Sequence, residues 1–255
     1  MNISRYMLVA LMVLCIGQVS AESTVCALTL RASPAIGHGV AALPRLVAAP
    51  GDRAAARINQ ALSRADERVH KADCTGEIDG EQMDWTRTIS VTMRGPHFLS
   101  LVVADVWFCG GAHPDYDQFP LVYDLSTGAP VNWSRLLPAA LVQETGTDTA
   151  GDGTVVGTVS SPKLHDLYLK GVNSAPDIDH DCDDVLANPD LRFTVWPSAR
   201  TAGITIKPFG LPHVVAGCGS EWTVPLSVLR KLNARHELLD AIEVAHSQGW
   251  YESQQ

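Results

Sequence analysis

The clearest pattern in the chain is an alternation of apolar and polar residues, which predicts three consecutive β-strands. In the first run, RTISVTMRG, three apolar residues at alternate positions share one face. Gly95-Pro96 then marks a turn, a longer apolar run covers 97–109, and QFPLVYDL at 118–125 supplies the third strand. Because short turns separate these runs, we predict an antiparallel meander.

A different spacing follows Asp52, where apolar residues recur every three or four positions up to about Lys71. This period is typical of an amphipathic helix, and Asp52 has the side chain of an N-cap. The apolar positions are Ile58, Leu62, Ala65 and Val69. The opposite side carries a basic stripe, interpreted as a solvated face, of Arg53, Arg57, Arg64, Arg68 and Lys71.

The second half of the chain predicts a second hairpin and several helices. RFTVWP and GITIKPF flank a turn at 198–203, EWTVP is a further short strand, and leucine-rich segments at the end read as helices. Ser161 and Pro162 suit the start of a helix through Tyr168, whereas 143–159 reads as a loop. The fold class predicted is α+β, with an antiparallel sheet (the meander plus the second hairpin) and helices packed on one face.

The N-terminus has the pattern of a cleaved secretory signal. Arg5 precedes an apolar run at 7–16, and small residues stand before Glu22. The run is too short to span a bilayer comfortably, and we expect no membrane attachment after cleavage. The predicted units are a signal peptide at 1–21 and one exported domain at 22–255, made of a strand–helix part at 22–80 and the main sheet and C-terminal helices at 81–255.

Charge and cysteine content narrow the partners and the compartment. The formal net charge of −9 argues against nucleic acid, whose phosphates would be repelled, and permits a basic partner. Without a Cys-x-x-Cys motif, cysteines of an exported chain favour disulfides over metal ligands. Their order along the chain suggests Cys74–Cys109 and Cys182–Cys218 pairs with Cys26 left over, although other pairings stay open.

The segment FCGGAHPDYDQFPLVYDLSTG, residues 108–128, concentrates polar chemistry between apolar runs. If it is extended, His113, Asp115 and Asp117 share one face, which could hold a metal or arrange a general base. One strand end supplies at most three ligands, however, and no partner His or Glu motif is visible. We therefore predict neither a metal site nor a cofactor, and assign no catalytic residue.

The same segment is better explained as a structural turn or a binding loop. Gly110 and Gly111 can adopt a positive φ and let the chain reverse after a long strand, while Pro114 stiffens the exit. The polar residues through Asp117 are then expected at the surface.

An aspartate-rich run, DIDHDCDD at 177–184, is the other candidate for a metal. Its spacing departs from the EF-hand calcium loop, because no glycine occupies the sixth position and Asn188 replaces the glutamate of the twelfth. Capping of a short helix by Asp179 or Asp181 explains part of the run.

Three motifs together resemble a bacterial domain-of-unknown-function family. They are Gly-Gly-Ala-His at 110–113, Asp-Leu-Ser-Thr-Gly at 124–128, and Ala-Gly at 216–217 before the last strand and helices. The likeness extends over about 49–232. That family forms the extracellular part of lysozyme-sensing anti-sigma factors (RsiV-like) and an accessory part of peptidoglycan deacetylases (PdaC-like).

The resemblance implies a periplasmic or secreted domain that binds lysozyme, another basic envelope protein, or peptidoglycan. We expect neither an anti-sigma factor nor a deacetylase, because no transmembrane anchor, no sigma-binding segment and no deacetylase domain are visible. The candidate binding residues are His113, Asp115, Tyr116 and Asp117. The alternative is a small envelope hydrolase that uses His113 with Asp115 or Asp117.

Overall fold

The fold is α+β, as the sequence predicts. A computed structural model describes residues 27–72, 76–78, 81–110, 113–174 and 180–252, and the expected signal peptide and cleavage site lie outside them. The strands are β1 (Leu30–Arg31), β2 (Arg45–Leu46), β3 (Gly76–Ile78), β4 (Glu81–Arg94), β5 (Phe98–Phe108), β6 (Asp115–Asp124), β7 (Glu144–Thr149), β8 (Val155–Ser160), β9 (Arg192–Ser198), β10 (Gly203–Phe209) and β11 (Trp222–Pro225). The helices are α1 (Arg53–Ala72), α2 (Trp133–Leu136), α3 (Pro162–Val172), α4 (Asp183–Leu186), α5 (Leu226–Lys231) and α6 (His236–Ser247).

The predicted meander forms one sheet, in the order β3-β4-β5-β6. Neighbouring strands are antiparallel, and β5 runs along nearly its whole length between β4 and β6. Its N-terminal half is buried on both faces, whereas its last residues reach the surface. The apolar run at 97–109 is continuous because β5 is the central strand of this buried region.

Helix α1 packs its apolar stripe on this sheet. The Asp52 carboxylate accepts a hydrogen bond from the Ala55 amide at 2.9 Å, which caps the helix as predicted. Ile58, Leu62 and Ala65 are buried in one cluster with side chains of β4, β5 and β6. The helix therefore covers the sheet through the residues that the 3.6-residue period selects.

The second hairpin belongs to a separate five-stranded sheet, in the order β11-β10-β9-β8-β7, so the prediction of one sheet that contains both the meander and this hairpin is wrong. Strands β7 and β8 occupy most of 143–159, so the predicted loop there is wrong. The reason lies in β7, whose residues ETGTDT are nearly all exposed and lack the apolar alternation of a half-buried strand.

The larger core lies between the second sheet and the later helices. Side chains of β9 and β10 pack with those of α3, α5 and α6 in one buried cluster. Ser161 caps α3 by accepting a hydrogen bond from the Leu164 amide at 3.0 Å, and Pro162 occupies the first helical turn, as predicted. Within the described ranges, no helix is both long and apolar enough to cross a membrane.

Candidate functional site

The glycine-rich segment is a turn at its start and a strand at its end. Strand β5 ends at Phe108, and Gly110 has a φ of 88°, the left-handed conformation that glycine adopts without strain. Gly111 lies outside the described residues, and Pro114 is exposed. Strand β6 begins at Asp115, so the prediction of a turn up to Asp117 is wrong, because β6 pairs with β5 over these residues.

A distant segment of the chain meets this turn. Residues 213–218 form a 3-10 turn after β10, and the His213 ring stacks on the His113 ring with centroids 6.1 Å apart. Nδ1 of His213 lies 2.5 Å from Oδ1 of Asp115. His213, rather than the predicted His113, is therefore the histidine that contacts Asp115.

Tyr116 anchors a row of polar contacts beside the histidines. Its ring lies under the Lys207 ammonium, which is 5.3 Å from the ring centroid. Lys207 also donates a hydrogen bond to Oε1 of Gln118 at 2.8 Å, and Nε2 of Gln118 donates to Glu221 at 2.6 Å. The two hydrogen bonds hold Lys207 over the Tyr116 ring, and Tyr116 stays 46% exposed.

A cleft of about 210 Å³ opens next to Tyr116, at the edge strand β6. Its walls come from β6, from the end of β10 and from the segment at 216–219. Burial lowers the pKa of Lys207 on one wall, although the charges of Glu221 and Asp117 oppose that shift. Neither His113 nor His213 lines the cleft, and both are exposed at the protein surface.

The Asp117 carboxylate forms hydrogen bonds within the fold and is not a free surface group. Its Oδ2 accepts a hydrogen bond from the Gly151 amide at 2.9 Å, and its Oδ1 accepts one from the Gln118 amide at 2.8 Å. Burial raises the pKa of this carboxyl, and the charges of Asp105 and Asp152 raise it further, against the lowering effect of the two amides. Asp117 thereby joins β6 to the turn between β7 and β8.

A buried ion cluster beneath Asp117 joins the two sheets. Arg87 of β4 contacts Asp105 of β5 through Nε at 2.7 Å and Nη2 at 2.5 Å, and Nη2 also lies 2.6 Å from Asp152. All three side chains are buried. Asp152 comes from the turn between β7 and β8, where it accepts hydrogen bonds from Thr154. The cluster therefore positions the turn that Asp117 contacts.

Replacing Asp117 by asparagine should change how stability depends on pH. Between the carboxyl's ordinary pKa of about 3.9 and its raised value in the folded state, the folded protein holds more protons than the unfolded chain. The free energy of unfolding of the wild type should therefore fall as the pH rises through this window. Asp117→Asn removes this titration. In denaturant unfolding from pH 4 to 8, the free energy of unfolding of the variant should therefore rise relative to that of the wild type as the pH rises. A difference that stays constant with pH would contradict the assignment.

The disulfide prediction is confirmed for one pair. Cys182 and Cys218 are bonded and close a loop with a sequence separation of 36 residues. This bond ties the 3-10 turn at 213–218 to the segment before α4. Cys109 is also disulfide-bonded, but Cys74 and Cys26 lie outside the described residues, so the Cys74–Cys109 pair stays a prediction.

The aspartate-rich run shows no calcium site where it is described. Its first part, 177–179, lies outside the described residues, and no group of three metal-ligating side chains occurs among those that are described. The cap residue of α4 is Cys182, without a side-chain hydrogen bond, so a capping role for Asp181 is wrong. Asp183 and Asp184 instead occupy the first helical turn, where the helix dipole favours negative charge.

Sequence reasoning missed His213, Val214 and Lys207. Val214 is 88% exposed, but it is one of two adjacent valines in LPHVVAGCG, and this segment has no periodic pattern that would distinguish an exposed valine from a buried one. The one indication is the motif at 216–217, which the family resemblance singles out a few residues later in the same 3-10 turn.

No protein-family model and no curated protein matches the chain. Among solved structures, it is similar to a member of the DUF3298 family from Bacteroides fragilis, with 13% identity and a TM-score of 0.45 over 73% of this chain and 68% of that chain. It is also similar to a DUF3298 family protein from Pseudomonas aeruginosa, with 14% identity and a TM-score of 0.39 over 69% of this chain and 71% of that chain. Both are named as members of the DUF3298 family. The narrower resemblance to lysozyme-sensing anti-sigma factors and peptidoglycan deacetylases stays a prediction.

Proposed function

We propose that the protein is an exported binding domain for a lysozyme-like or other basic envelope protein. The observation that carries the proposal is the meeting of two distant segments at one exposed surface. This 113/213 surface consists of His113, Asp115, Tyr116, His213 and Val214. Its chemistry suits recognition, because aromatic and apolar groups that are exposed together supply the anchors of protein interfaces.

Electrostatics favour a basic partner. The chain has a formal net charge of −9, and Asp115 keeps half of its side chain exposed on this surface. Glu221 adds a carboxylate at the edge of the neighbouring cleft, where it accepts a hydrogen bond from Gln118. Opposite charges across an interface raise the rate of association and exclude partners of the wrong sign.

The surface is also held in one arrangement before any partner arrives. The Cys182–Cys218 bond fixes the end of the 3-10 turn, and the His213–Asp115 contact ties that turn to β6. Lys207 holds the Tyr116 ring from the other side. A surface that is ordered in advance loses less conformational entropy on binding, and a disulfide at this position supports an oxidising compartment.

The hydrolase alternative finds less support in the same geometry. Asp115 contacts His213, and Asp117 is occupied by the Gly151 and Gln118 amides. No serine, threonine or cysteine of the described residues forms a hydrogen bond with either histidine, so a nucleophile activated by a base is not assembled there. We therefore do not propose catalysis through His113, and the experiment below includes a hydrolysis assay that would detect it.

Calorimetric titration of the purified protein with lysozyme tests the proposal. Binding that weakens as the salt concentration rises is expected, because exposed charges are screened. Sedimentation with insoluble peptidoglycan and a cell-wall hydrolysis assay form two parallel arms. Binding to peptidoglycan without binding to lysozyme would overturn the choice of partner, and hydrolysis lost in His113→Ala would overturn the binding function itself.

Val214→Ser should weaken lysozyme binding about tenfold or more, because an apolar anchor at the centre of an interface is lost. Val47→Ser is the matched control, since Val47 is also exposed, at 58%, but lies elsewhere on the surface. Both variants should melt within about 1–2 °C of the wild type, as surface changes cost little stability. Equal affinities for the two variants would rule out the 113/213 surface as the contact.

A further inference from the structure

A second cleft, separate from the 113/213 surface, lies between α1 and the strands β6 and β8. It has a volume of about 190 Å³. Its apolar walls contain Pro120, Pro130, Val131, Val155 and Val156. The polar side chains along it are Arg64, Arg68, Tyr123 and Thr154, and no lining residue carries a carboxylate.

The basic wall of this cleft comes from the stripe that the sequence suggests is a solvated face. Arg64 and Arg68 are four residues apart on α1, so their side chains point to the same side of the helix. Neither guanidinium forms an ion pair with a carboxylate of the described residues. In a chain with an excess of acidic residues, two neighbouring arginines are thus left without a counter-charge.

Arg68 has hydrogen-bonding capacity that the fold does not use. Its Nη2 donates to the Thr154 hydroxyl at 3.1 Å, which orients the guanidinium along the cleft. Its Nε is buried and has no hydrogen-bond partner. A buried donor without a partner costs free energy, so the hydrogen bond to Thr154 leaves part of the donor capacity of this guanidinium unused.

Tyr123 adds a third polar group next to the arginines. The side chain is buried, and burial raises the pKa of its phenol, while the charges of Arg68 and Arg64 act in the opposite direction. Tyr123, Arg64 and Arg68 all line this cleft. With its pKa raised above the ordinary value, the phenol stays protonated at neutral pH and can donate a hydrogen bond.

We propose that this cleft binds a carboxylate attached to an apolar body, such as the free C-terminus of a short apolar peptide. The planar guanidinium fork of arginine matches the two oxygens of a carboxylate. The proline and valine walls suit the apolar part of the ligand and would gain nothing from a bare inorganic anion. A phosphate shares the anionic chemistry, so it is the other source that the experiment must separate.

The test is a calorimetric titration of the full protein with N-acetyl-Ala-Ala as the free acid, with its C-terminal amide, and with inorganic phosphate. The free acid is expected to bind about tenfold or more tightly than the amide, because the amide lacks the charge that the arginines recognise. Arg68→Gln and Arg64→Gln should each weaken binding of the acid by a similar factor. Arg57→Gln, a change of the same kind at an exposed position of α1 away from the cleft, should leave binding unchanged.

Arg64→Gln keeps the test decisive if Arg68→Gln destabilises the protein, because Arg64 is exposed and makes no hydrogen bond to Thr154. Equal affinity for acid and amide, or no binding of the acid at millimolar concentration, would overturn the proposal. So would phosphate binding more tightly than the acid, or a loss in Arg57→Gln as large as in Arg64→Gln.

Discussion

Arg87→Met should lower the free energy of unfolding by about 3–5 kcal/mol, the loss typical of a buried ion pair with one partner removed. The substitution leaves the Asp105 and Asp152 carboxylates buried and without their cation. Asp117 stands nearby with a third carboxylate, whose pKa these two charges help to raise. For a domain of this size, the melting temperature should fall by about 6–20 °C.

Arg57→Met is the matched control for this prediction, because it makes the same chemical change on the exposed side of α1. It should cost less than about 0.5 kcal/mol. Urea unfolding of both variants, followed by tryptophan fluorescence, checks the difference. Trp85 is a suitable reporter, since its indole N–H donates to Asp105 at 3.1 Å. A loss below about 1 kcal/mol for Arg87→Met would show that the ion cluster contributes little to the stability of the fold.

Removing the Cys182–Cys218 bond should have an effect of similar size. The bond closes a loop of 36 residues, and the chain-entropy model assigns about 3–4 kcal/mol to a loop of that length. A Cys182→Ala/Cys218→Ala double variant should also bind lysozyme more weakly, because the bond holds the 3-10 turn that carries His213 and Val214. Stability and affinity should therefore fall together.

The double variant is preferable to a reducing agent, because Cys109 is disulfide-bonded too and would be reduced as well. Thermal unfolding and lysozyme titration of the double variant are compared with the wild type under identical, non-reducing conditions. A variant that melts within about 2 °C of the wild type, less than 1 kcal/mol by the usual conversion, would contradict the entropic role. A less stable variant with unchanged affinity for lysozyme would show that the disulfide is not needed to hold the 113/213 surface in its binding arrangement.

Local patterns were sufficient to predict most of the secondary structure. The meander, the second hairpin and α1 follow from periodicity, and the caps at Asp52 and Ser161 follow from the hydrogen bonds that those side chains offer to free amides. Strand β7 was missed because its stability comes from pairing with β8 and not from an apolar face of its own.

The candidate site was predicted only in part, because half of it comes from elsewhere in the chain. His113, Asp115 and Tyr116 could be chosen from local composition, but Lys207 lies in β10 of the other sheet and His213 follows that strand. The role of Asp117 also depends on Gly151, a tertiary neighbour without a sequence signature. Likewise, the helical period places Arg64 and Arg68 on a solvated face of α1. Their position beside a cleft depends on residues of β6 and β8, which are distant in the sequence.

Hydrogen–deuterium exchange of the protein with and without lysozyme tests the central claim most directly, because it reports on both segments of the 113/213 surface in one measurement. Amides of 113–116 and of 213–218 should exchange more slowly together when lysozyme is bound, while those around Val47 should be unaffected. Bound lysozyme that leaves both segments unchanged, or protects only one of them, would contradict the account of a single binding surface built from two distant parts of the chain.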